Sequence, residues 1–120
     1  MKIIFAEKAT EDFVEILEYM SGKNFNVAKK ISKQVQYTCS LLVSMPKMGS
    51  KVDVFIDSKY FTFQQAIEIS NTKKEFKQTR KFPVVDFRKI IIFYQVVDDN
   101  LEIIRIIHSS RDIPTIFTEE

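Results

Sequence analysis

At 120 residues, with 45% hydrophobic and 28% charged side chains, the chain has the make-up of one globular domain rather than a disordered segment. A single cysteine, Cys39, excludes an internal disulfide framework and a cysteine-based zinc site, and two glycines leave little room for a glycine-rich phosphate loop. Apolar runs fall short of the roughly 18 residues that cross a bilayer, and acids stand near the start where a signal peptide is apolar; a cytoplasmic protein with no membrane partner is expected. The net charge of +2 is unevenly spread. Residues 1–22 carry five acids and two lysines, residues 23–51 six lysines and no acid, and residues 73–89 seven basic and two acidic side chains. Such segregation can build a basic face on a nearly neutral protein, although lysines solvated on a helix surface account for it as well.

Lys2–Phe5 is a brief apolar run that reads as a strand. From Glu7 to about Ser21, Ala9, Phe13, Ile16, Leu17 and Met20 follow helical spacing. Glu7, Glu11, Asp12, Glu15 and Glu18 are expected on the opposite faces, and Gly22 is expected to stop the helix. Asn24 or Asn26 caps a second helix running to about Met45. Its core stripe is Ala28, Ile31, Val35, Leu42 and Met45, with Thr38 or Cys39 filling the middle turn and Lys29, Lys30 and Lys33 pointing away. Pro46 ends it, and the short connection predicts an antiparallel helical hairpin.

Val52, Val54 and Ile56 alternate as a strand would, and Thr62-Phe63-Gln64-Gln65 has the form of a capping box. Phe63, Ala66 and Ile67 give that stretch enough apolar content for a packed excursion. Three β-rich runs follow: Arg80–Val85, Lys89–Val97 and Leu101–His108. Asp86 and Asp98-Asp99-Asn100 supply the turns, so an antiparallel meander is predicted. Pro83 cannot donate to a ladder, which places its strand at the sheet edge. Leu101–His108 is apolar on both faces, as suits a central strand covered on both sides. Simple alternation puts Arg105 with Ile103 and Ile107, and His108 with Ile104 and Ile106.

A guanidinium among isoleucines needs an anion or a hydrogen-bond network. Either it has a partner within the fold, such as Glu102 or Asp112, or it floors a groove where it works with Arg80, Arg88 and Arg111 on a phosphate or an acidic peptide. His108, the sole histidine, is the natural general acid or base, with Tyr94 and Arg111 as companions, or else a hydrogen-bonding residue at a strand end. Cys39 reads as a small core residue. Carboxylate pairs, metal-ligand clusters and nucleophile motifs do not stand out, so neither metal nor cofactor is expected.

In order and spacing, several segments resemble the RelE/ParE toxin superfamily, and its ParE-type, plasmid stabilisation branch in particular. They are Glu7-Lys8-Ala9 to Ile16-Leu17-Glu18-Tyr19, the P-x-x-G stop in Met45-Pro46-Lys47-Met48-Gly49, Arg80-Lys81-Phe82-Pro83-Val84, Ile92-Phe93-Tyr94, Asp98-Asp99, and Ile103-Ile104-Arg105-Ile106-Ile107-His108 with Arg111-Asp112. The resemblance covers about 90 of the 120 residues. It implies an α+β fold: an N-terminal strand, an antiparallel helical hairpin, then a three-stranded antiparallel meander in one sheet. Residues 1–120 would form one such domain, with an atypical insertion at about 51–79. Ala6 also departs from the family, whose helix cap there is Ser or Thr.

By resemblance the chain would be the toxin of a type II toxin–antitoxin module, a growth inhibitor held inactive by a cognate antitoxin. ParE-like toxins inhibit DNA gyrase without turnover. The alternatives are a RelE-like, ribosome-dependent mRNA endonuclease and a non-toxic antitoxin-binding module of the same fold. Arg105, His108 and Tyr94 would be catalytic only in the nuclease, while Arg80, Lys81, Arg88 and Arg111 would meet the target or its phosphates. If Arg105 is functional, Arg105→Ala removes toxicity and leaves the fold intact; if its partner lies within the fold, the substitution unfolds the domain.

Overall fold

The computed structural model describes residues 1–52 and 79–108. In chain order they form β1 (Lys2–Phe5), α1 (Glu7–Ser21), α2 (Phe25–Ser44), β2 (Ser50–Lys51), β3 (Arg80–Val84), β4 (Phe87–Val97) and β5 (Asn100–His108). The expectations for Val54, Ile56, the Thr62–Gln65 box, Arg111 and Asp112 lie outside the described residues. The strands make one sheet in the order β1-β5-β4-β3-β2, and the helices pack on one of its faces.

Both hairpin turns rest on aspartates in the left-handed region. Asp98 and Asp99 have φ of 50° and 60° between the paired Val97 and Asn100, and Asp86 has φ 68° between β3 and β4. Short polar side chains tolerate that conformation, and the two-residue turn matches the twist of the strands it joins. A hydroxyl from α2 secures the second turn: Thr38 Oγ1 accepts from Val85 N–H at 3.0 Å and donates to Gln34 O at 2.6 Å. Gln34 Nε2 donates to Asp86 Oδ2 at 2.5 Å.

α1 starts without a side-chain cap, because Ala6 has none to offer. Its beginning is fixed by the sheet instead, since Ala6 N–H donates to Ile103 O at 2.9 Å and carries the β1–β5 ladder up to the first turn. The helix ends at Ser21 with Gly22 as its C-cap, as expected, although not through a left-handed conformation. Gly22 keeps an ordinary φ of −65°, and the break falls at Asn24, extended at φ −158°. The Asn24 side chain accepts from Val27 N–H at 3.2 Å and opens α2.

The core lies between the helices and the sheet. Ala9, Ile16, Ile31, Val35, Cys39 and Leu42 pack against Ile90, Ile92, Tyr94, Leu101, Ile103 and Ile106. Each fully buried isoleucine or leucine contributes roughly 1.5–3 kcal/mol, against about 1 kcal/mol for a helix cap. Packing, not capping, holds α1 in place.

Two expectations about the sheet need correction. Pro83 does not lie in the edge strand: β2 flanks β3, pairing Ser50 with Lys81 and Lys51 with Arg80. β2 is only two residues long, so among the described residues nothing pairs with β3 beside Pro83, and the register shifts between Pro83 and Val84. The second correction concerns β5. Phe93 pairs with Arg105 and Tyr94 with Ile103, which leaves Ile104 as an extra residue in a bulge. Parity therefore changes at Ile104. Ile103, Ile106 and His108 share the helix-covered face, while Arg105 and Ile107 fall on the other with Phe93. Phe93 and Ile107 are buried there, so β5 is covered on both sides, as its composition suggests.

Candidate functional site

Arg105 has its partner within the fold, and it is neither Glu102 nor Asp112. Asp12 of α1 takes a two-pronged contact, Arg105 Nε to Oδ2 at 2.7 Å and a terminal guanidinium nitrogen to Oδ1 at 2.9 Å. Both side chains are only 12% exposed. Asp12 Oδ2 also accepts from Ile106 N–H at 3.0 Å. β1 pairs β5 only as far as Ile103. Beyond that point the carboxylate stands where the next strand residue would be. Planar fork against planar carboxylate is the strongest form of such a contact.

Tyr94 is equally committed. Its hydroxyl donates to Pro46 O at 2.7 Å and accepts from Gly49 N–H at 2.9 Å. Arg80 closes the same clasp by donating to Gly49 O at 2.7 Å and to Lys47 O at 3.4 Å. The P-x-x-G segment is thus pinned onto the sheet at both ends. Gly49 has to be glycine because a Cβ would come within 2.5 Å of the Tyr94 hydroxyl and 2.7 Å of Lys81 O. Burial pushes the Tyr94 phenol above its usual range, with the Gly49 N–H and the Arg80 charge pulling back only in part. It stays neutral at physiological pH.

His108 lies elsewhere. It lines a cavity of about 400 Å³ with Met20, Ile31, Phe87 and Ile90 as apolar walls and Asp86, Arg88 and Lys89 beside them. His108 pairs with Ile90, four residues along β4 from Tyr94, so the two are about 13 Å apart on the strand rise. Arg105 turns instead to the edge of β5, where Asp12 of α1 holds it. The three candidates for nuclease chemistry are therefore not brought together. Nor are the cations: Arg80 pairs opposite Tyr94 and Arg88 lies six residues away, roughly 20 Å along β4. Lys81 is half-buried on β3, and Arg88 is exposed with no ion pair or hydrogen bond among the described residues. Burial holds the Cys39 thiol up at about 11, where it is an unreactive core group.

A larger cavity of about 800 Å³ adjoins the clasp, walled by Met1, Met45, Pro46, Met48 and Val96 and edged by Lys47, Lys51 and Arg80. The residues that the sequence left unmarked are Asp12, Gln34, Thr38 as a turn anchor, and Gly49 as the point of closest approach. Asp12 did carry a signal. It follows Ala9 by three residues and precedes Ile16 by four, on the margin of the apolar stripe rather than opposite it.

A strand, a helical hairpin and a meander on one sheet, tied by a pinned post-helical loop, define a small α+β domain of the RelE/ParE type. Residues 3–113 match the family described as the ParE toxin of type II toxin–antitoxin system, parDE, and the chain belongs to that family. Among solved structures it is similar to one titled "Chromosomal ParDE TA system from P. aeruginosa", with a TM-score of 0.61 and 14% identity over 90% of this chain and 95% of that one. At that identity the likeness concerns the fold. No curated protein matches the sequence. Family membership makes the chain a toxin component, with a cognate antitoxin as its partner class. None of the helices among the described residues is long and apolar enough to cross a membrane.

Proposed function

We propose that this toxin acts in the cytoplasm as a ParE-like inhibitor of DNA gyrase, by binding and without turnover, with residues 1–120 as one domain. The observation that supports this reading is the dispersal of the nuclease candidates. The Tyr94 hydroxyl is spent on Pro46 and Gly49, Arg105 is held by Asp12 of α1 at the edge of β5, and His108 lies about 13 Å from Tyr94. Transphosphorylation of RNA needs a base, an acid and cations around one phosphate. A binding mechanism needs only a surface. Arg88 is the exposed cation best suited to face the target, with Arg111 and Lys81 as further contacts, whereas Arg80 acts through the clasp.

Induction of the toxin without its antitoxin tests this. Growth should arrest, and supercoiling by purified gyrase should fall in the presence of the protein. Arg88→Ala should weaken that inhibition without changing the melting temperature. The cavity beside His108, with Arg88 and Lys89 at its side, favours the RelE-like nuclease as the second reading. Cleavage of mRNA on the ribosome with intact supercoiling would establish it instead. A chain that leaves growth unaffected would be the antitoxin-binding module alone.

A further inference from the structure

The solvent face of α2 carries a pattern that neither the core nor the gyrase reading uses. Phe25, Lys29, Lys33 and Tyr37 recur at every fourth residue, which sets them in one stripe along the helix. The stripe lies opposite the buried Ala28, Ile31, Val35 and Leu42. Phe25 is 62% and Tyr37 51% exposed, large areas for rings on a helix already packed by its other side. Lys23 and Lys30 flank the stripe, and no acid occurs between residues 23 and 51.

Among the described residues these lysines meet no acid. Lys23, Lys29, Lys30 and Lys33 form no ion pair there, although Glu15 and Glu18 stand exposed on the neighbouring α1. Two of them sit over aromatic rings instead, Lys29 Nζ 5.2 Å from the Phe25 centroid and Lys23 Nζ 4.8 Å from that of Tyr19. Unpaired charge interleaved with exposed rings fits a ligand that offers anions and flat faces in alternation. We infer that the outer face of α2 binds single-stranded nucleic acid, the lysines meeting phosphates and Phe25 and Tyr37 stacking on bases. The rings lie about 18 Å apart along the helix axis, room for several nucleotides between them. An anionic lipid surface fits less well. Interfacial helices insert a whole apolar face, and that face of α2 is buried in the core. An acidic peptide would satisfy the lysines and leave the rings idle.

The test is fluorescence anisotropy of the full chain with a labelled oligothymidine across a salt series. Binding should weaken steeply with salt. Replacing Lys29, Lys30 and Lys33 together by Gln should lower the slope of log K against log salt by about 2, on about 0.7 per single-strand phosphate. Phe25→Ala with Tyr37→Ala should weaken binding at least about fivefold and leave that slope unchanged. All five side chains are exposed, so the melting temperature should hold in both variants. Absence of binding at low salt would overturn the inference. So would a duplex of equal length bound as tightly, an unchanged affinity without the rings, or equal binding to polyglutamate or anionic vesicles.

Discussion

Arg105 and Asp12 show how one contact serves two purposes, neutralising a guanidinium and completing a sheet edge. Asp12→Ala takes the two-pronged carboxylate from Arg105 and leaves the Ile106 N–H without its acceptor, at a cost of about 3–5 kcal/mol. Arg105→Ala costs less, a loss of stability rather than the unfolding expected from the sequence, because Asp12 keeps its bond to Ile106 N–H. Urea denaturation of the two variants should rank them in that order. Equal midpoints would mean that the backbone bond contributes nothing. At Tyr94 the same reasoning applies to a neutral group. Tyr94→Phe leaves Gly49 N–H and Pro46 O without the phenol, a loss of about 1–3 kcal/mol. Gly49→Ala presses a methyl on the phenol and on Lys81 O. The phenol can yield but the backbone cannot, so Tyr94→Phe should rescue Gly49→Ala only in part when melting temperatures are compared.

At the scale of elements, α2 is the member that positions the others. Its start depends on the Asn24 cap, and Asn24→Ala should cost about 0.5–2 kcal/mol, read as a lower midpoint in urea. Thr38→Val is the sharper probe. It removes the hydroxyl that anchors Val85 N–H and should loosen the β3–β4 turn, measurable as faster amide exchange at Val85. Most of these elements were legible in the sequence, because apolar spacing and the aspartate turns mark them locally. The faces of β5 were not. Alternation read straight through Ile103-Ile104-Arg105 assigns Arg105 to the wrong side, and a bulge leaves no local mark in a run of isoleucines. The burial of Arg105 was legible for the same reason that its partner was not. A charge among isoleucines announces a need, yet any of 16 acids could meet it, and the one that does lies 93 residues away.

For the molecule as a whole, alkaline pH should expose the cost of the buried thiol. Cys39 is held up at about 11, against about 8.5 in an unfolded chain. The folded state therefore keeps a proton that the unfolded state gives up, and stability is fully present below about pH 8.5 and is lost as pH rises towards 11. The Tyr94 phenol, also raised, adds to that loss at its upper end. Urea midpoints measured from neutrality to pH 11 should fall across this window, and Cys39→Ala should flatten the first part of the decline.

The pairing of β1 with β5, reinforced by Asp12 and Arg105, also sets a schedule for synthesis. Among the described residues the first strand has no other neighbour in the sheet, and the first helix is locked to a residue 93 positions later. A nascent chain thus cannot finish its N-terminal half until β5 has cleared the ribosomal tunnel, seconds after α1 emerged at roughly 5–20 residues per second. Chains interrupted before Asn100 lack both the ladder and the ion pair, so incomplete translation products should be degraded instead of acting as growth inhibitors.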